Sequence, residues 1–199
     1  MQLTLLSFLP LVLANPLTLH ERQSEPQITS MTATGDGCPS GTFSTLIGGE
    51  GNKSGKASFD VFDIIAGHDL SVSNKTLSCD VSVAVSFPGT CKQAVLKTRT
   101  DAFVLVAMAE GATARVSSQF SVLDGSGGGS PPDLVYTSQP GQNVEDDIGR
   151  NWNVSISATG AMATLVAHLE IFLDSPNAEL ISRVTLDGFG LLVSQEGVC

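Results

Sequence analysis

The sequence predicts an all-β fold: an antiparallel β-sandwich, jelly-roll or immunoglobulin-like in general architecture, stabilised by two disulfides. Three observations carry that reading. First, Leu77, Cys79, Val81, Val83, Val85 and Phe87 fall on every second position, with Ser78, Asp80, Ser82, Ala84 and Ser86 between them. Side chains alternate faces along a strand, so one face of this segment is buried and the other wet. Second, short apolar runs recur between Gly- and Pro-rich turns, the punctuation of a sandwich or barrel. Third, the chain has four cysteines, Cys38, Cys79, Cys91 and Cys199. An even count in an exported chain reads as a disulfide framework.

The chain opens Met-Gln-Leu-Thr-Leu-Leu-Ser-Phe-Leu-Pro-Leu-Val-Leu-Ala. This run is too short to span a bilayer, which needs ~20 apolar residues. It fits the apolar centre of a secretory signal over residues 1–14, cleaved after Ala14, although a basic start is missing. Later segments offer no membrane span, and Cys199 is not in a prenylation box. Asn15 to Gly37 is polar and without apolar periodicity, so a disordered leader is expected over 15–37. Residues 38–199 then form a single domain, long enough for a real core.

Within that domain Gly48-Gly49-Glu50-Gly51-Asn52 separates Thr42–Ile47 from Lys56–Ile65, and Pro88-Gly89 ends the alternating strand. The tract Gly125-Ser126-Gly127-Gly128-Gly129-Ser130-Pro131-Pro132 reads as an exposed loop. It lacks the Gly-Lys-Ser/Thr of a phosphate loop. Ala161 to Leu173 fits both helical and alternating spacing, and the surrounding strands favour strand.

If Leu77–Phe87 is extended, Cys79 lies ~27 Å from its far end, near which Cys91 sits. A disulfide needs Cα atoms within ~7 Å. Cys79 and Cys91 are therefore not expected to pair; each is expected to join Cys38 or Cys199. Such bridges close long loops and stabilise by ~3–5 kcal/mol each in chain-entropy models. Three sequons, at Asn52, Asn74 and Asn153, are candidate glycosylation sites.

The formal net charge is −10. An acidic chain without a basic stripe is a poor partner for nucleic acid. His20, His68 and His168 share no ligand spacing, so no metal or other cofactor is expected. A copper site at a mature N-terminus would need histidine where Asn15 stands. Asp60 and Asp63 bring two carboxylates together, but three positions apart on a strand they face opposite ways. Glu145-Asp146-Asp147 reads as an acidic loop without the spaced ligands of a calcium site. There is no Gly-x-Ser-x-Gly elbow, and bridged cysteines leave no thiol nucleophile. Trp152 alternates with Val154, Ile156 and Ala158, which predicts a core position. No catalytic residue is assigned.

The order of Gly37-Cys38-Pro39-Ser40-Gly41-Thr42, Phe59-Asp60-Val61-Phe62, the block Cys79 to Cys91 through Phe87-Pro88-Gly89, the Leu96–Ala107 strand, Gly111-Ala-Thr-Ala and Thr185-Leu186-Asp187 resembles the secreted fungal and plant proteins of the DUF4360 family. The sequence departs from that pattern at Asp101-Ala102-Phe103, where the family often carries an aromatic-Gly pair. The resemblance implies a small secreted β-rich protein of fungal type and transfers no catalytic residue. Three functions compete: a non-catalytic protein binding glycan or protein at a cell wall or extracellular surface; a polysaccharide hydrolase using Asp60, Asp63 or Glu145–Asp147; and a secreted effector or inhibitor.

Overall fold

The computed structural model describes residues 25–66, 74–87, 92–106, 111–123, 125–137, 144–175 and 181–195. Twelve strands form them: β1 Gln27–Thr34, β2 Phe43–Gly48, β3 Ser54–Phe59, β4 Asp63–Ala66, β5 Asn74–Ser86, β6 Gln93–Val106, β7 Thr113–Val122, β8 Gly125–Gly129, β9 Leu134–Thr137, β10 Val144–Ala158, β11 Met162–Asp174 and β12 Ser182–Gln195. All strand pairings among the described residues are antiparallel, and no helix occurs among them. The first sheet runs β1-β5-β11-β7 with β9 on the far edge of β7; the second runs β10-β6-β12-β3-β2, with β4 beside β12.

The alternation seen in the sequence sets the packing. On β5, Cys79, Val81, Val83 and Val85 are buried completely. On β11, Ala163, Leu165, Ala167, Leu169, Ile171 and Leu173 face the same interior. The ambiguous segment is thus a strand, because its neighbours β5 and β7 supply ladder partners along most of its length. From the second sheet come Leu96, Val154, Ile156, Val184, Leu186, Phe189 and Val193. Phe120 of β7 and Phe189 of β12 meet across the interior with ring centroids 6.2 Å apart, within the range of favourable aromatic pairs.

Four expectations need correction. The polar stretch before Cys38 is not leader throughout, since Gln27–Thr34 is β1, paired with β5. A register shift between Ile28 and Ser30 lets Ile28 and Met31, three apart, both turn inward, so simple alternation is absent although a strand is present. Residues 1–24, including the expected signal sequence, lie outside the described residues.

The glycine tract is a strand, not a loop. Gly125–Gly127 pair with β10, and Gly128 and Gly129 pair with β7. β8 therefore passes from one sheet to the other and closes that side of the sandwich into a nearly continuous barrel. Glycine is required there: Gly127 and Gly128 have φ of 136° and 138°, and a Cβ would stand 1.9 Å from the Ser155 carbonyl oxygen or 2.6 Å from that of Phe120.

Glu145-Asp146-Asp147 is likewise no loop but part of β10, opposite Leu105, Val104 and Phe103. Trp152 is 36% exposed although Val154 and Ile156 beyond it are buried. Its phase is inward, opposite the buried Thr98. It lies by Gly129, which has no side chain to cover it. Alternation predicts the face of a residue, not how far the opposing sheet extends over it.

Of the two expected disulfides one is seen, Cys38–Cys79, with Cα atoms 5.6 Å apart. It ties the segment after β1 to the middle of the first sheet. Gly37 N–H donates to the Ser78 carbonyl, and the Ser78 N–H donates to Asp36 Oδ1 at 2.7 Å. Cys91 and Cys199 lie outside the described residues.

Candidate functional site

The outward residues of β5, β11 and β7 form one polar surface. Register places His168 between Asp80 and Gln119, Glu170 between Ser78 and Ser117, and Phe172 between Thr76 and Arg115. Each is the wet member of an alternating pair whose partner fills the core. The side chains are close because adjacent strands stand only ~4.8 Å apart.

Two cross-strand contacts organise this surface. Arg115 Nη2 donates to Glu170 Oε1 at 2.7 Å, and the guanidinium lies 5.4 Å from the Phe172 ring centroid. One ring thus stacks on the cation while one carboxylate neutralises it. His168 Nδ1 sits 2.6 Å from Asp80 Oδ1. Donors and acceptors alternate from strand to strand, so the surface is rich in hydrogen-bonding atoms, and its one guanidinium is neutralised by Glu170.

The segment Ser130–Asp133 completes a groove. β8 pairs with β7 at Phe120 and Ser121, and β9 pairs with β7 from Thr113 to Val116. The connection between them therefore passes Ser117–Gln119. The groove is about 380 Å³, lined by Arg115, Ser117, Gln119, Asp133, His168 and Glu170 among others. It offers carboxylate acceptors beside guanidinium, amide and hydroxyl donors. A ligand hydroxyl, both donor and acceptor, can bond to neighbours of both kinds there. A second hollow of about 390 Å³ lies by Asn151, Trp152 and Asn153.

Of the residues singled out from sequence, His168 alone falls in the groove. Asp60 is exposed in the turn between β3 and β4, and Asp63 opens β4 with its carboxylate 3.1 Å from Arg183 Nη2. Asn52 is exposed in the β2–β3 turn, with the left-handed φ of 54° that asparagine tolerates. Asn153 is exposed on β10, and Asn74 begins β5. His20 and His68 lie outside the described residues. No group of three or more potential metal ligands occurs among the described residues, and no described helix is long and apolar enough to cross a membrane. Arg115, Glu170, Asp80, Gln119 and Asp133 escaped the sequence reading. Their only signal is that they occupy the wet phase of strands whose pairing the sequence does not declare.

No curated protein matches the chain. Among solved structures, a family 11 carbohydrate-binding module from Clostridium thermocellum, in complex with a β-1,3-1,4-mixed-linked tetrasaccharide, is similar over 87% of this chain and 98% of its own. The identity is 12% and the TM-score 0.20, too low to establish a common fold. The family model described as "Domain of unknown function (DUF4360)" matches residues 24–189, from just before β1 into β12, and the chain belongs to that family.

Proposed function

We propose that the protein is a secreted, non-catalytic binding protein that holds an uncharged polysaccharide at a cell wall or other extracellular surface. The supporting observation is the groove on β5, β11 and β7, in which donors and acceptors are pre-positioned by cross-strand pairing. The groove's one guanidinium is already paired with Glu170, which favours a hydroxyl-rich ligand over an anionic one. The lining is polar rather than an apolar patch with a polar rim, which favours a sugar over a protein partner. The short apolar opening supports export, and Asn52, Asn74 and Asn153 are then candidate glycan carriers. The ladder of β6 and β12 supports a second bridge, Cys91–Cys199. Its last pair is Ala94 with Gln195, three residues after Cys91 and four before Cys199.

The test is affinity electrophoresis and calorimetry of the full chain against neutral wall polysaccharides, compared with Glu170→Gln and Asp133→Asn. Retarded migration with one or more neutral glycans is expected. Each variant should weaken it by about tenfold, the worth of one charge-assisted hydrogen bond. Absence of binding to every neutral polysaccharide, or binding indifferent to both variants, would remove the proposal.

A further inference from the structure

The closure of the sandwich by β8 is partial. β8 pairs with β10 from Ala158 to Ile156, then swings away to pair with Phe120 and Ser121 of β7. From Asn153 back toward the start of β10, that edge has no strand partner among the described residues. The neighbours fix which backbone groups face it. Ala158 N–H donates to the Lys92 carbonyl at 2.7 Å, and the Thr98 hydroxyl donates to the Trp152 carbonyl at 3.1 Å, both on the β6 side. Ser155 turns the other way, its carbonyl oxygen lying against Gly127. Backbone direction alternates along a strand, so the N–H and C=O of Asn151 and Asn153 point to the open edge.

This edge bears the hollow of about 390 Å³ lined by Asn151, Trp152 and Asn153. Trp152 is the single tryptophan of the chain, and its side chain is partly uncovered. Its Nε1 is 3.5 Å from where a Cβ on Gly129 would stand, and the next residue, Ser130, lines the groove on the first sheet. The hollow and the groove therefore meet along the Gly129–Ser130 step.

The three residues bring a flat apolar ring together with amide and backbone groups that donate and accept, and no charge. A pyranose ring matches both parts. The C–H bonds of its face pack on the electron-rich face of the indole, and the hydroxyls at its rim reach the amides. A peptide strand could use the backbone edge, but Glu145, Asp146 and Asp147 farther along β10 discourage one. We infer that Trp152 is a stacking subsite, which takes one ring of the neutral polysaccharide whose neighbouring rings lie in the groove. The inference rests on the binding role proposed above and adds the residue that selects a pyranose by its C–H face.

The single tryptophan makes the site its own reporter. Hydroxyethylcellulose, laminarin and galactomannan are the probes, titrated into the full chain made without N-glycans, since a glycan on Asn153 would crowd the hollow. With at least one polymer, the emission should move to shorter wavelength and quenching by acrylamide should fall. In affinity electrophoresis Trp152→Ala should weaken binding by at least about tenfold, Trp152→Phe by less, and Asn151→Ala by about threefold. Equal melting temperatures establish that the variants are folded. Retardation that leaves the tryptophan spectrum unmoved and survives Trp152→Ala overturns the inference and leaves the groove standing. Retardation lost in Trp152→Ala but untouched by Glu170→Gln and Asp133→Asn supports the stacking subsite and removes the groove. No response to any of the three polymers overturns both. An equal spectral shift with an uncharged Ser-Thr-Val peptide also overturns the inference, because it would report strand addition at the open edge.

Discussion

The outward faces of the two sheets are built from the same alternation and end as different surfaces. On the first sheet Arg115 is tied to Glu170 and stacked by Phe172, and His168 is tied to Asp80. On the second, Lys56 and Arg99 stand on either side of Gly190 of β12, and Lys97 stands opposite Leu192. Opposite charges on neighbouring strands hold each other in place. The same wet phase therefore yields a surface of cross-strand polar pairs on the first sheet and long basic side chains beside a side-chain-free stretch of backbone on the second. Register, not composition, makes the difference.

The comparison breaks completely if the shared core is damaged, since both faces hang on it. Leu169→Ala removes a fully buried side chain from the centre of β11. It should cost about 2–5 kcal/mol in urea unfolding. Next in size is Cys38→Ser with Cys79→Ser, which opens a bridge between residues 41 apart. Chain-entropy arithmetic for a loop of that length gives about 4 kcal/mol as an upper figure. Both changes should weaken neutral-glycan binding as temperature rises, because neither touches the groove itself.

Sharper tests separate the faces. Gly127→Ala puts a side chain against the Ser155 carbonyl at a φ that L residues rarely adopt. It should destabilise by about 1–3 kcal/mol and disturb the groove first, because β8 leads directly into Ser130–Asp133. Gly41→Ala also has positive φ, 87°, but nothing lies within 4 Å of its Cβ; it serves as the control with strain and no collision. Smallest of all is the difference between single charges. Arg115→Ala loses an ion pair and a ring contact, about 1 kcal/mol in thermal unfolding. Lys97→Ala, at an exposed position on β6, should stay within about 0.5 kcal/mol. Equal costs at the two positions would mean that the pairing on the first sheet is ornamental.

Much of the fold was legible because β5 and β11 bury every second residue, and a strict period of two has one structural meaning. β1 was not legible, since its bulge places Ile28 and Met31 three apart. Nor was β8, where glycine usually signals a loop and here marks a strand squeezed between Ser155 and Phe120. The groove was less legible still. His168 stands out as one of three histidines, but Asp80 is 88 positions away, and Arg115 and Glu170 are 55 apart. Local patterns say which residues face out. They say nothing of which outward residues will be neighbours.

The sequence by itself determined an all-β domain, the buried phase of its long strands and a cysteine on the inner face of β5. These follow from side-chain alternation and the transfer of apolar groups from water, both local properties of the chain. Only the tertiary structure decided the partners: Cys38 for Cys79, Asp80 for His168, Glu170 for Arg115, and Gly190 between Lys56 and Arg99. Those choices depend on strand order and register, which are set by the packing of the whole core at once.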